Sequence, residues 1–377
     1  MTMFIGPIKD VCLGIYDGPH ATPQEADSGP IFLGIKNVSE DGRLDFSEIR
    51  HVSEQEFPRW TRRVVPKKGD IVFSYEATLH RYALIPDEFR GCLGRRMALV
   101  RPDPRKVHSK FLHYYFLSPA WKAVMTSNVV TGATVDRIPL VRFPEFPVRV
   151  PLLREQKKIA EILSAYDDLI ENNRRRIALL EESARLLYRE WFVHLRFPGH
   201  EHVKVVDGVP EGWELVPLEA VAKLNYGKAL KEEHRIPGNY PVYGSSGIVG
   251  SHQSSISAGA GIIVGRKGNV GAVYWSSGGF FAIDTVYFVS TDQSNLHLYY
   301  ALRNVTFMST DVAVPGLNRD FAHSIKLLIP SDKLKKEFID IAASQRDQIE
   351  NLNRHNQKLS EARDLLLPRL MSGEIQV

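Results

Sequence analysis

The chain has 377 residues, of which 44% are hydrophobic and 24% charged, a composition typical of a globular protein long enough for two domains. The formal net charge of +4 permits a polyanionic partner but does not require one. Two cysteines, Cys12 and Cys92, argue against a disulfide scaffold or a cysteine zinc site and favour a reducing, cytoplasmic compartment. No apolar run approaches the roughly 20 residues of a membrane span, so we expect no membrane partner.

The first 150 residues are rich in short β-type runs bounded by Gly, Pro and Asp. Strands are predicted at 31–35, 70–73 and 97–100, and a helix at about 108–118. The same order returns later, with strands at 262–264 and 286–289 and a helix through 298–302. The segments 114–117 (YYFL) and 299–302 (YYAL) also match. We therefore expect two duplicated mixed α/β domains, one over 1–150 and one, with its linker, over 197–329.

Two long helices, one predicted at 151–196 and the other, with a C-terminal tail, at 330–377, also repeat each other. Residues 150–192 and 329–371 align without a gap at an offset of 179. Alternating spacings of four and three residues predict the a/d seam of a coiled coil. Pro368 is expected to kink or end the second helix. The seam positions, which are also the candidates for docking a partner, are Ile159, Leu163, Tyr166, Ile170, Asn173, Ile177, Leu180, Leu187, Ile349, Leu352, Asn356, Leu359 and Leu366.

The predicted fold class is α+β: two mixed α/β domains separated by two long helices that form an antiparallel coiled coil, with a pseudo-two-fold internal repeat. An antiparallel pairing near the middle of the helices would bring Asn173 and Asn356 together. A buried Asn pair would specify register at some cost in stability. The alternative is that one or both amides face water beside the seam.

No catalytic or metal-ligating set is recognisable, so no catalytic residue, metal or cofactor is predicted for this chain. The Asn/Asp-Pro-Pro-aromatic loop of base methyltransferases is absent. Asp70 and Glu76 lack the following lysine of a metal nuclease. Residues 265–268 (GRKG) lack the spacing and the Ser/Thr of a Walker A loop. Residues 200–202 (HEH) are interpreted as a solvated linker.

Polar, Gly-rich loops that carry cations are more informative. Their backbone N–H groups can approach phosphates, and Arg and Asn can read base edges. Each loop taken alone is also consistent with an ordinary surface turn. The candidate DNA-binding residues are His20, Thr22, Lys36, Asn37, Tyr75, Thr78, Arg81, Tyr243, Ser245, Ser246, Arg266, Lys267 and Asn269.

Several segments together resemble the specificity subunit of type I restriction–modification systems, along essentially the whole chain. Residues 151–160 (PLLREQKKIA) and 167–173 (DDLIENN) resemble its central conserved region, and 365–375 (LLLPRLMSGEI) its distal one. Residues 211–214 (EGWE) resemble the start of a second target-recognition domain. Residues 240–248 (YPVYGSSGI) and 265–271 (GRKGNVG) resemble one subtype of that domain.

The resemblance implies a non-catalytic subunit whose two target-recognition domains each read one half of a bipartite, double-stranded DNA sequence. The helices would act as a ruler and dock two methyltransferase subunits, and a restriction subunit with motor and nuclease activity would join the complete enzyme. S-adenosylmethionine, ATP and magnesium would belong to those partners. About 38 helical residues span roughly 57 Å, enough to hold two domains one DNA turn of roughly 34–36 Å apart or somewhat more.

The first domain departs from the family pattern because it lacks the Gly-Trp-Glu start and begins almost at once with Ile5 and Ile8. Its N-terminal edge is therefore expected to lean on the end of the C-terminal helix.

Two other function classes stay open: a coiled-coil structural adaptor without sequence-specific DNA binding, and an enzyme with a site around Asp284, Asp311 and Arg319.

Overall fold

The computed structural model describes residues 3–132, 135–308 and 316–377 and divides the chain into two compact units. Unit 1 comprises Met1–Asn173 and Arg354–Val377, and unit 2 comprises Arg174–Asn353. The α-helices are α1 (Phe57–Trp60), α2 (Ser109–Leu117), α3 (Pro119–Ser127), α4 (Leu153–Tyr188), α5 (Leu218–Val221), α6 (Leu296–Arg303), α7 (Arg319–Ser324) and α8 (Asp332–Ser372).

The strands of unit 1 form two small sheets and a separate pair. The larger sheet has the order β2-β8-β5-β6, the smaller β4-β3-β7, and β1 pairs with β9. These strands are β1 (Met3–Pro7), β2 (Cys12–Asp17), β3 (Ala26–Leu33), β4 (Arg50–His51), β5 (Ile71–Ser74), β6 (Tyr82–Leu84), β7 (Gly91–Leu93), β8 (Met97–Pro102) and β9 (Pro147–Pro151).

Unit 2 repeats this topology. Its larger sheet has the order β13-β19-β16-β17, its smaller β15-β14-β18, and β12 pairs with β20, while β10 and β11 form a hairpin before them. The strands are β10 (Val205–Val206), β11 (Val209–Pro210), β12 (Glu214–Pro217), β13 (Asn225–Tyr226), β14 (Tyr240–Gly244), β15 (Gly247–His252), β16 (Gly261–Gly265), β17 (Val273–Ser276), β18 (Phe281–Ala282), β19 (Val286–Val289) and β20 (Lys326–Ile329).

The strand registers equate individual positions of the two units. In unit 1, Ala98 pairs with Asp17 on one side and Phe73 on the other. In unit 2, Tyr287 pairs with Tyr226 and Val264 in the same way. Asp17 and Tyr226 are therefore structural equivalents, which confirms that the domains are duplicated and not only the helices.

The strands and short helices predicted from sequence are present, with shifts at their ends. The strand predicted at 31–35 ends at Leu33 because the Asn37 carboxamide accepts the N–H of Gly34 and closes a turn. Asp70 lies outside β5, where its carboxylate accepts from Lys67 N–H and from the Arg101 guanidinium. Such side-chain caps compete with the strand ladder and set where it starts.

The predicted coiled-coil seam coincides with the least exposed face of α4 and α8. Ile159 and Leu163 are 1% and 0% exposed, whereas Leu179, off the seam, is 69% exposed. Within unit 1, Asp167 pairs with Arg363 and Asn173 with Asn356. Within unit 2, Glu181 faces Arg346 and Ser183 bonds to Gln345. Residue numbers rise along one helix as they fall along the other, so the helices are antiparallel.

Pro368 was expected to kink or end the second helix, but the helix does not end there. It continues to Ser372, and Gly373 then adopts a left-handed φ of 79°. The last turn is held because Leu367, Leu370 and Met371 are buried in the core of unit 1. Proline removes one N–H from a helix, and this apolar burial offsets that loss.

The N-terminal edge of the first domain was expected to pack against the end of the C-terminal helix, and it does so in part. Ile8 is fully buried in the same hydrophobic core as Leu370 and Met371 at the end of α8. Ile5, in contrast, is 66% exposed on β1, so the prediction was wrong for this residue. Phe4, the preceding residue on β1, is also 40% exposed, so this strand leaves both of its faces open to solvent here.

A buried histidine makes the stability of unit 2 depend on pH. His297 is 2% exposed among Tyr188, Phe192 and Phe338, and this burial lowers its pKa from 6.5 to about 4. Between pH 6.5 and 4 the unfolded chain takes up a proton that the folded chain refuses, so stability is lost as pH falls. At pH 5 the loss is about 2 kcal/mol.

We expect His297→Phe to lose less stability than the parent between pH 7 and 5 in thermal melts. Exposed His234→Phe is the control, and equal losses for all three proteins would contradict this.

The two seam asparagines are paired as predicted: Nδ2 of Asn173 donates to Oδ1 of Asn356 at 2.9 Å. We expect the double variant Asn173→Leu/Asn356→Leu to raise the free energy of unfolding by about 1–2 kcal/mol through added apolar burial. It should also relax register, because a polar pair penalises slippage. Disulfide trapping between cysteines placed at 183 and 345 measures that register. Asn173→Leu alone leaves Asn356 unpaired and should destabilise; a less stable double variant would contradict the account.

Candidate DNA-binding loops

Two of the loops singled out in unit 2 lie side by side. The turn between β14 and β15 carries Ser245 and Ser246, and the loop between β16 and β17 carries residues 266–269. Tyr274 Oη donates to the Ser245 carbonyl at 3.0 Å. A Cβ added to Gly268 would lie 3.0 Å from Ser245 Oγ, and its φ of +78° also favours glycine. The structure therefore brings Ser245, Ser246, Lys267 and Asn269 to one surface.

Tyr243 does not share that surface. Its side chain is 6% exposed, packs edge-on against Phe280, and donates its hydroxyl to the Trp275 carbonyl at 3.4 Å. Burial raises its pKa, so it stays a neutral core residue. The predicted DNA contact is replaced by a structural role, because β14 turns this position inward.

Arg266 is held by an aromatic cluster that also takes in a second arginine. Its guanidinium carbon lies 5.0 Å from the ring centre of Tyr226 and 5.7 Å from that of Tyr287. Nη1 donates to the Asp284 carbonyl at 3.2 Å. The guanidinium carbon of Arg319 lies 4.9 Å from the same Tyr226 ring. We call Tyr226, Arg266, Arg319 and Tyr287 the arginine–tyrosine cluster.

The equivalent place in unit 1 has different chemistry. Asp17 accepts from Arg63 at 2.5 Å and from His20 Nε2 at 3.2 Å. Tyr75, which is 5% exposed, lies 3.5 Å from the other nitrogen of His20 through its hydroxyl. Burial, reinforced by the Asp17 charge, raises the pKa of Tyr75 to about 12. The buried Tyr75 therefore contacts His20 through its hydroxyl, while His20 and Thr22 themselves are exposed.

Asn37 also has a structural role instead of the predicted recognition role. It is 6% exposed, and its amide donates to the carbonyls of Asp45 and Glu48 at 3.0 and 2.9 Å. With the bond from Gly34, these contacts occupy the carboxamide and fix the turn after β3. Neighbouring Lys36 is exposed.

Lys36 lines a groove of about 500 Å³ whose lining carries more basic than acidic side chains. Arg50, Arg95 and Arg96 join it, against the acids Glu25 and Glu48. Sequence reasoning missed these arginines, although the Arg95-Arg96 doublet before a strand was a usable signal. Thr78 is exposed on the nearby β5–β6 loop, and Arg81 pairs with Glu40 at 2.7 Å.

Two of the three residues of the alternative enzyme site, Asp284 and Arg319, lie within the described residues. Arg319 belongs to the arginine–tyrosine cluster and the Asp284 carbonyl contacts it, while Asp311 lies outside the described residues. Over the described ranges, no three His, Cys, Asp or Glu residues are grouped so as to hold a metal ion. No helix in the same ranges is both long and apolar enough to cross a membrane.

Comparison with known families places two copies of one domain on this chain. The family model described as "Type I restriction modification DNA specificity domain" matches residues 33–182 and 210–361, well over half of the sequence. The chain belongs to this family. Each copy runs from a globular domain into a long helix, in agreement with the repeated topology.

Two relatives from this family match along most of their length. The MjaIX specificity subunit of Methanocaldococcus jannaschii is 23% identical over 363 residues, covering 87% of this chain and 82% of that protein. The HindI specificity subunit of Haemophilus influenzae is 23% identical over 424 residues, covering 87% and 90%. The fold is similar to that of the S subunit from M. genitalium, with a TM-score of 0.56 at 17% identity over 98% and 96% of the two chains.

Proposed function

We propose that this chain is the DNA specificity subunit of a type I restriction–modification enzyme, reading a bipartite double-stranded target with one domain per half. The observation that carries the proposal is the duplicated topology with unlike side chains at equivalent positions. Asp17 and Tyr226 occupy equivalent strand positions, yet the Asp17 carboxylate accepts from His20 and Arg63, whereas the Tyr226 ring packs against two arginines. A protein that reads two different half-sites needs two similar domains with different side chains at such positions.

The proposal divides the chain into four functional segments. Residues 1–150 and 197–329 form the reading domains, and 151–196 and 330–377 supply the helices that set the gap. Two methyltransferase subunits dock on the helices, and a restriction subunit joins in the complete enzyme. These partners carry catalysis and hold S-adenosylmethionine, ATP and magnesium, and the assembly works in the cytoplasm.

DNA recognition by loops such as 266–269 combines phosphate contacts from exposed cations with base contacts from fixed side chains. The formal charge of +4 is small for a protein that must neutralise many phosphates unaided. The partners therefore supply much of the affinity, and the chain alone binds DNA weakly.

The test is a binding titration against duplexes that do and do not carry the target, with and without the cognate methyltransferase, at two salt concentrations. The proposal expects salt-dependent, sequence-selective binding by the complex, and weaker binding by the chain alone. Equal affinity of the complex for both duplexes would instead favour a structural adaptor.

A further inference from the structure

We propose that Arg266 and Arg319 of the arginine–tyrosine cluster form the base-reading element of unit 2 and recognise guanine in its half-site. This rests on the function proposed above and names the residues and the base involved. The alternative within the same surface is contact with the DNA backbone alone, which the experiment below separates.

Arg266 is held in a fixed orientation. Its backbone N–H donates to the Thr285 carbonyl at 2.9 Å, its side chain donates to the Asp284 carbonyl, and two tyrosine rings lie within 6 Å of the guanidinium carbon. Stacking on aromatic faces and a planar fork of N–H donors suit arginine to directional recognition. A fixed fork loses little conformational entropy when it meets a base edge.

Arg319 has one N–H donor, Nε, that the described part of the chain leaves without an acceptor. It follows Asn318, whose carboxamide oxygen caps α7 by accepting from the N–H groups of Asp320 and Phe321. Among the described residues, its Nε is buried and has no hydrogen-bond partner. The ion-pair contact with Asp320 is long, at 4.0 Å, and that carboxylate is 89% exposed. The Arg319 side chain as a whole is 34% exposed, so the outer N–H groups of its guanidinium can reach a ligand.

Guanine fits these donors better than a phosphate does. Its major-groove edge presents two acceptors, O6 and N7, which match two N–H groups of one arginine. An arginine fork can also bind a phosphate, but phosphate contacts are made equally by Lys, Ser, Thr and backbone N–H groups, so they do not require a restrained arginine. Lys267, the next residue in the loop, is exposed and suits phosphate contact. The guanidinium of Arg266 is instead held in one orientation by the Tyr226 ring, which favours recognition of a base edge.

The cluster is specific to unit 2 at this position. The N–H of Ile138 bonds to the Tyr75 carbonyl as the N–H of Leu317 bonds to that of Arg266. Tyr75 is thus the equivalent of Arg266, and counting two residues on makes Leu140 the equivalent of Arg319. Unit 1 therefore places a buried tyrosine and a leucine where unit 2 has its two arginines, so changes to the cluster should alter one half of the target only.

The experiment co-expresses the full chain with its cognate methyltransferase and maps methylated adenines for the parent, Arg266→Lys, Arg319→Lys and the corresponding Gln variants. Lysine keeps the charge but lacks the two-pronged donor geometry. We expect at least one of the two arginine positions to show, for both its Lys and its Gln variant, an about tenfold or greater loss of preference at a single G·C pair in one half-site. Arg303→Gln, whose guanidinium lies 5.5 Å from the Tyr299 ring in the same unit, is the matched control and should leave the motif unchanged.

The outcomes separate this inference from the proposed function. A bipartite motif for the parent that stays unchanged at every position in both Lys variants overturns guanine reading and leaves the function standing. Uniform loss of methylation with the motif intact assigns the arginines to the DNA backbone and also overturns it. No bipartite motif for the parent overturns the proposed function itself. Copurification with the methyltransferase verifies that each variant folds.

Discussion

Lengthening both long helices by one heptad should lengthen the gap in the DNA target. The insertion sites are directly after Asn173 in α4 and directly before Asn356 in α8, which face each other across the paired amides. Seven residues keep the a/d seam in phase and add about 10.5 Å. Because base pairs are stacked about 3.4 Å apart, the gap grows by at most about three base pairs. Both half-site sequences stay unchanged, since the reading loops are untouched.

The measurement is the methylated motif of the lengthened chain compared with the parent. A matched control inserts the heptad in α4 only, which breaks the pairing on one side of the insertion and should abolish assembly. An unchanged gap in a stable, methylating complex with both insertions would show that the helices do not set the spacing.

Removing the Asp167 carboxylate should strongly destabilise unit 1. This carboxylate accepts from Tyr114 of α2 and from Arg363 of α8, joining the domain to both long helices. Arg363 is only 11% exposed, and the Asp167 charge raises its pKa against the effect of burial. Asp167→Ala leaves the Tyr114 hydroxyl without its acceptor and leaves the largely buried Arg363 cation with the exposed Asp364, a weak partner, so we expect a loss of about 3 kcal/mol in the free energy of unfolding.

Urea denaturation measures this loss, with Asp364→Asn as the control. Asp364 also contacts Arg363 but is 61% exposed, and such pairs contribute about 0–1 kcal/mol. The double variant Asp167→Leu/Arg363→Leu should recover much of the stability, because no uncompensated charge remains. An effect of Asp167→Ala no greater than that of Asp364→Asn would contradict a structural role for this network.

The long helices were predictable from sequence because their signal is local and periodic. A seam repeated at spacings of three and four identifies the buried face without knowledge of the partner. The 179-residue offset then placed Asn173 opposite Asn356, a pairing confirmed by their hydrogen bond. The persistence of α8 through Pro368 was not predictable in this way, since it depends on the burial of Leu370 and Met371 in the core of unit 1.

The loops were predictable in place but not in role. Candidate residues were chosen by polarity, which does not distinguish an exposed amide from one that holds a turn together. Asn37 and Tyr243 are buried because of bonds to Glu48 and Trp275, which are 11 and 32 residues away. Arg319 and Tyr226 meet across more than ninety residues, so no local pattern linked them. The assignment of individual bases stays a prediction.

The most direct test of the central claim is to map methylated adenines in cells that express the cognate methyltransferase with and without this chain. We predict a bipartite motif, two unlike half-sites separated by a gap of fixed length, that is present only with the chain. Identical methylation in both cells, despite a stable complex, would contradict the claim that the two domains specify the target.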